Sequence, residues 1–188
     1  PASAADVYAH TFPRMAAKTR AYYARYPQDE ARMAAIADRL AAGDVTLPDG
    51  SPLTPRRLQT LGGGLGMKPA PERLHNLLDT AFEAGDGSLA STGAASELTD
   101  GFLMGALENL TTAGNPLYWT LQEFIYANGT LDAPINWTAE HEYARHPEFD
   151  ATARPLMLTG EAAFPFMFED DPLLAPLKPA VDLLMQDT

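Results

Sequence analysis

Helix-start signals recur along this chain with almost nothing strand-like between them, and that punctuation limits the possible folds more than any other feature. Thr54-Pro55, Ala70-Pro71, Asn115-Pro116 and Asp171-Pro172 each place a proline near a first helical position, where its missing N–H is no loss. Thr54, Asn115 and Asp171 add a capping side chain directly before it. From Ala4 to Tyr26 the aromatics Tyr8, Phe12, Tyr22, Tyr23 and Tyr26 suit a long amphipathic helix, which Pro13 either kinks or begins. Asp29 to Ala42 sets Met33, Ile36, Ala37 and Leu40 on one stripe, and Gly43 closes it. Leu98 to Leu110 is helical in spacing, and Asn136 is placed to cap a helix that runs to His146 before Pro147. The single strand-like signal is Val45 to Leu53, two short extended pieces about Pro48-Asp49-Gly50. No repeat period and no alternation of strands with helices is present, so the predicted class is mainly α with at most one short hairpin near 45–53.

At 188 residues the chain fits one helical domain. Residues Ala84 to Glu97 are rich in Gly, Ser, Ala and Thr and read as an exposed, flexible loop that would join sub-units 1–83 and 98–188. A net charge of −12 repels phosphate backbones and anionic lipid, which argues against nucleic-acid and membrane partners. No cysteine is present, so disulfides, thiolate metal sites and a thiol nucleophile are excluded. A cytoplasmic location is expected. Pro1-Ala2-Ser3 does not open a signal peptide, and the sequons at Asn109, Asn128 and Asn136 are read as chance matches. The start at Pro1 and the stop at Gln186-Asp187-Thr188 read as a piece of a longer protein.

Several catalytic motifs fail on spacing. None of the serines (Ser3, Ser51, Ser88, Ser91, Ser96) lies in Gly-x-Ser-x-Gly, so a nucleophile elbow is missing. Gly62-Gly63-Gly64-Leu65-Gly66 lacks the phosphate-loop pattern and reads as a hinge or helix break. His141 and His146 are five apart, not the four that would share a helix face at about 100° per residue, and their segment reads as an exposed polar face. His10 and His75 read as satisfied structural histidines. No metal site and no cofactor is expected.

Asn115 to Ala127 is apolar nearly all round and carries one acid. Leu117, Leu121, Phe124 and Ile125 form its principal stripe, whereas Glu123 shares a face with Trp119, Thr120, Tyr126 and Ala127. A carboxylate among aromatics costs several kcal/mol unless something positive meets it. Two readings stay open: a structural salt bridge or solvent contact, and a receptor for a ligand ammonium walled by Tyr126 and Trp119. Glu161 follows a short apolar run, Leu156-Met157-Leu158-Thr159-Gly160, and precedes Phe164, Phe166 and Phe168. It is either aimed into a pocket or a first-turn acid of the next helix.

The wording of these segments resembles the cap domain of prolyl aminopeptidases (proline iminopeptidases), serine peptidases of the α/β-hydrolase fold. Ala17 to Pro27 resembles the opening cap helix, and Leu47 to Gly50 with Thr54 to Leu61 resembles the turn and helix that follow. Asn115 to Tyr126 and Thr159 to Phe168 complete the pattern, which spans nearly the whole chain. The chain departs from it at Gln122, where His is usual, and at Gly62-Gly63-Gly64, where bulkier apolar residues are common. The resemblance implies a multi-helix cap over a hydrolase core that is absent here and would be the chain's partner, with the nucleophile in that core. It implies release of N-terminal proline from peptides, with cap acids holding the free amine and aromatics enclosing the ring. Glu123 matches one such acid and Glu161 is a candidate for another; Tyr126, Trp119 and Phe164 are the candidate walls, and no catalytic residue is expected in this chain. The competing reading is a stand-alone helical binding or interaction module with an acid-lined pocket.

Overall fold

The helix-start signals are realised for the most part. A computed structural model describes residues 3–83, 97–126 and 132–186. Its α-helices are α1 (Ala4–Arg25), α2 (Pro27–Ala41), α3 (Pro55–Gln59), α4 (Ala70–Asp79), α5 (Asp100–Leu110), α6 (Pro116–Leu121), α7 (Thr138–Arg145), α8 (Met167–Asp170) and α9 (Lys178–Leu184). The fold is mainly α, and among the described residues no strand forms. The predicted hairpin is reduced to one antiparallel bridge, Thr46 to Pro52, flanked by Leu47 N–H to Ser51 O at 2.8 Å and Leu53 N–H to Val45 O at 2.9 Å. Gly50 makes the turn with φ +83°.

Caps decide where helices begin. Thr54 accepts a hydrogen bond from Arg57 N–H, and Asn115 accepts one from Tyr118 N–H, both at 3.1 Å. The fourth signal, Asp171-Pro172, opens no helix. Asp171 instead closes a tight turn by accepting from Leu173 N–H at 2.8 Å, and α9 starts later, at Lys178. Pro13 lies inside α1 and does not begin it.

The chain divides into two compact units that interleave along the sequence. One comprises Pro1–Arg14, Thr111–Pro147 and Glu161–Thr188; the other comprises Met15–Leu110 and Glu148–Gly160. Neither unit follows the linear order of the expected sub-units, 1–83 and 98–188. Of the loop predicted at 84–97, residues 84–96 lie outside the described residues.

In the second unit the α2 stripe faces inward as its spacing predicts. Met33, Ile36 and Ala37 are fully buried in a core shared with Tyr22, Leu58, Leu78, Phe102 and Leu156. Each large apolar side chain sealed this way contributes roughly 1.5–3 kcal/mol. Most polar groups carried into this unit's interior are paired, the buried Thr159 hydroxyl excepted. Gln59 Nε2 donates to Phe149 O at 2.7 Å and Met157 O at 2.9 Å, and Tyr23 donates to Leu156 O at 2.7 Å. Buried Asp29 accepts from Tyr22 and Arg32 and lies 2.9 Å from His75 Nδ1, whose ring stacks on Tyr26. His75 is thus a satisfied structural histidine.

The glycine run has a packing cause at its first member. A Cβ on Gly62 would fall 2.5 Å from Thr159 O and 2.6 Å from Leu158 Cβ, so bulk is excluded where the two segments touch. There Thr159 N–H donates to Gln59 O at 3.0 Å, and the chain changes from α3 to a 3₁₀ helix, Thr60–Gly66.

Candidate functional site

The candidate residues gather in the first unit around the segment that follows Asn115. Its six-residue α6 gives way to a 3₁₀ turn, Gln122–Tyr126, and the faces come out opposite to expectation. Leu117, Leu121 and Ile125 are 59%, 46% and 60% exposed, whereas Thr120, Gln122 and Glu123 are buried. The apolar stripe faces outward because the polar side chains each find specific partners within the unit.

Glu123 is fully enclosed and serves as the cap of another helix. Its Oε2 accepts from Thr138 N–H at 2.9 Å and its Oε1 accepts from Ala139 N–H at 2.8 Å, both at the first turn of α7. Asn136, predicted to cap this helix, does not. Asn136 and Trp137 both adopt left-handed backbone, φ +49° and +56°, and Trp137 makes no side-chain cap. The carboxylate therefore does from fifteen residues away what an N-cap side chain does locally. Burial pushes the Glu123 carboxyl up to about 7, and the two N–H groups oppose that rise only in part. Among the described residues no cation meets it.

Glu161 is exposed and precedes α8 by too much to act in its first turn. Tyr118 donates its hydroxyl proton to Glu161 Oε1, and burial together with that bond pushes the Tyr118 phenol well above its ordinary range. Behind this pair lies Gln122. Its Oε1 accepts from the buried Tyr8 hydroxyl at 2.6 Å, and its Nε2 donates to Tyr126 Oη at 3.2 Å and to Glu161 O at 3.4 Å. Tyr8 and Tyr126 also meet edge to face at 5.9 Å.

The remaining candidates occupy different places. Trp119 is half-buried and packs edge-on to Tyr118 at 5.4 Å. Phe164 is buried against Tyr143 and Phe166, within the unit's own core. The segment from His141 to His146 is not wholly an exposed face. Glu142 is buried, accepts from Arg145 at 3.1 Å and lies 3.2 Å from His146 Nε2, while the His146 ring stacks on Phe12 at 5.3 Å. No group of three or more His, Asp and Glu residues suited to a metal ion occurs among the described residues, and none of their helices is long and apolar enough to cross a membrane.

Sequence patterning singles out Glu123 and Glu161 but misses Tyr118, Gln122 and Tyr8 as partners. Tyr118 lies in the same aromatic segment and could have been weighed with Trp119. Tyr8 is 114 residues from Gln122, and no local signal links them.

No family model matches the chain. Curated relatives do. A proline iminopeptidase of Aeromonas sobria is 36% identical over 187 residues, 98% of this chain and 40% of that protein. A proline iminopeptidase of Aspergillus aculeatus is 30% identical over 185 residues, 97% of this chain and 39% of that protein. The chain thus spans about two fifths of the length of these relatives, and over nearly all its residues it is similar to a region of proline iminopeptidases.

Proposed function

We propose that this chain is the substrate-recognition cap of a prolyl aminopeptidase, which holds the amino terminus of a peptide over a catalytic serine in an α/β-hydrolase core outside residues 1–188. Two things support this reading: the length-wide similarity to proline iminopeptidases and an exposed acid set among phenols. The single observation that carries the recognition role is Glu161, held in one orientation by Tyr118 while remaining open to solvent. A carboxylate so held can receive a secondary ammonium with little reorganisation, and the rings of Tyr118, Trp119 and Tyr126 add surfaces favourable to a cation.

Glu123 has a different part in this proposal. With both oxygens engaged by backbone N–H groups it shapes the segment that carries the aromatics, so the amine falls to Glu161. Phe164 supports the loop from within the core and is not a wall against the ring. In the reaction, a core serine would attack the proline carbonyl while this cap admits only substrates with a free amine. A blocked amine would leave Glu161 without its counter-charge.

The test has two arms. The 188-residue chain should not turn over a proline anilide; sustained turnover after repurification would reveal a nucleophile here. In a full-length enzyme carrying this segment, Glu161→Gln should lower kcat/KM for free-amine substrates at least tenfold, about 1.4 kcal/mol. An unchanged kcat/KM would remove Glu161 from the recognition site.

A further inference from the structure

We propose that Gln122 is a positioning residue that makes the Tyr126 hydroxyl a hydrogen-bond donor to the carbonyl oxygen beside the bound amine. The inference rests on the recognition reading above and extends it from the ammonium to a second point of the substrate.

The direction of the hydrogen bonds follows from one group that has no choice. The Glu161 main-chain carbonyl can only accept, so the amide atom 3.4 Å from it must be the nitrogen of Gln122, not its oxygen. The same nitrogen lies 3.2 Å from Tyr126 Oη, so that oxygen accepts. The opposite end of the amide is then the oxygen, which takes the proton of Tyr8 at 2.6 Å. Both N–H groups and the carbonyl of Gln122 are thereby used, and the side chain is fully buried, so flipping it would set two acceptors against each other.

A phenol has one proton. Tyr8 directs its own inward to Gln122, and Tyr118 directs its own to Glu161. Tyr126 already accepts from Gln122, so its proton is left for an acceptor elsewhere, and among the described residues no such acceptor appears. Tyr126 is half-buried and shares one amide nitrogen with the Glu161 main chain, so its hydroxyl and that residue are neighbours. An N-terminal aminoacyl group offers a matching pair: a cationic amine and, three bonds away, a carbonyl oxygen. Glu161 suits the first and Tyr126 the second.

Titration calorimetry on the 188-residue chain separates the two contacts, with L-prolinamide as the two-point ligand and pyrrolidine as the amine lacking a carbonyl. Tyr126→Phe should weaken prolinamide binding about fivefold to tenfold and leave pyrrolidine within about twofold, the loss of one hydrogen bond. Gln122→Met, similar in volume, should also erase the preference for prolinamide, and Glu161→Gln should weaken both ligands. Equal weakening of both by Tyr126→Phe would make Tyr126 a wall for the cation and overturn the inference. No effect on either would overturn it while leaving Glu161 as the amine receptor. If the wild-type chain binds neither ligand, the recognition reading falls and takes this inference with it. Should Gln122→Met not fold, the Tyr126→Phe comparison still decides. Slow exchange of the wild-type Gln122 side-chain N–H protons, read by NMR, is expected alongside it, and fast exchange would count against the fixed amide.

Discussion

Helix α2 and the segment from Asn115 to Tyr126 carry similar apolar stripes and treat them in opposite ways. In α2 the stripe of Met33, Ile36, Ala37 and Leu40 turns inward, and the faces follow the periodicity. In the later segment Leu117, Leu121 and Ile125 turn outward, while Thr120, Gln122 and Glu123 are sealed in. What differs is the demand of the polar residues. The α2 stripe is free of charge, so burying it satisfies everything at once. The later segment holds a carboxylate and an amide whose partners, two backbone N–H groups, two phenols and a carbonyl, lie within the unit. An ordinary hydrogen bond adds roughly 0.5–1.5 kcal/mol and a buried polar group left unpaired costs roughly 1–3 kcal/mol, so five paired contacts together outweigh the stripe.

The contrast is broken most severely from the α2 side. Ile36→Ala removes a fully buried side chain and should cost about 3 kcal/mol in urea or thermal unfolding; a loss below about 1 kcal/mol would mean the stripe is not core. Glu123→Ala leaves two N–H groups at the start of α7 without their acceptor, and about 2 kcal/mol should be lost, with reduced helicity by circular dichroism.

A pH series sharpens the same point. The carboxyl of Glu123 rises from an ordinary 4.5 to about 7 on folding, so between these values the folded chain binds more protons than the unfolded chain. Its contribution to stability is therefore fully present below about pH 4.5 and is lost as pH rises through about 7. The stability difference between the wild-type chain and Glu123→Gln should shrink over that window, and a difference that grows with pH would show that the backbone N–H groups hold the carboxyl down instead. The smallest effect is expected on the outward stripe. Leu121→Gln with Ile125→Gln should change unfolding free energy by no more than about 0.5 kcal/mol. A loss near that of Ile36→Ala would mean the stripe is buried after all.

Much of the first layer was readable in the residues. Thr54 and Asn115 cap as their positions before proline suggest, Gly43 ends α2 with φ +87°, and the hairpin signal near 45–53 is as slight in the structure as in the sequence. The exceptions have one physical origin. Asp171-Pro172 holds a turn, Asn136 yields its capping role to Glu123, and Gly62 is small because Leu158 and Thr159 press on it. In each case a residue far along the chain supplies or removes what local chemistry would have arranged.

By itself the sequence determined the helical class, most helix boundaries, the absence of a nucleophile elbow, and which two acids stand in aromatic surroundings. Those properties depend on backbone geometry and on neighbours within one or two turns. Tertiary structure alone decided that Glu123 faces a helix start, that Glu161 pairs with Tyr118, and that Gln122 joins Tyr8 to Tyr126. Hydrogen bonds are satisfied by whichever donor or acceptor folding brings within about 3 Å, and a linear pattern carries no record of that distance.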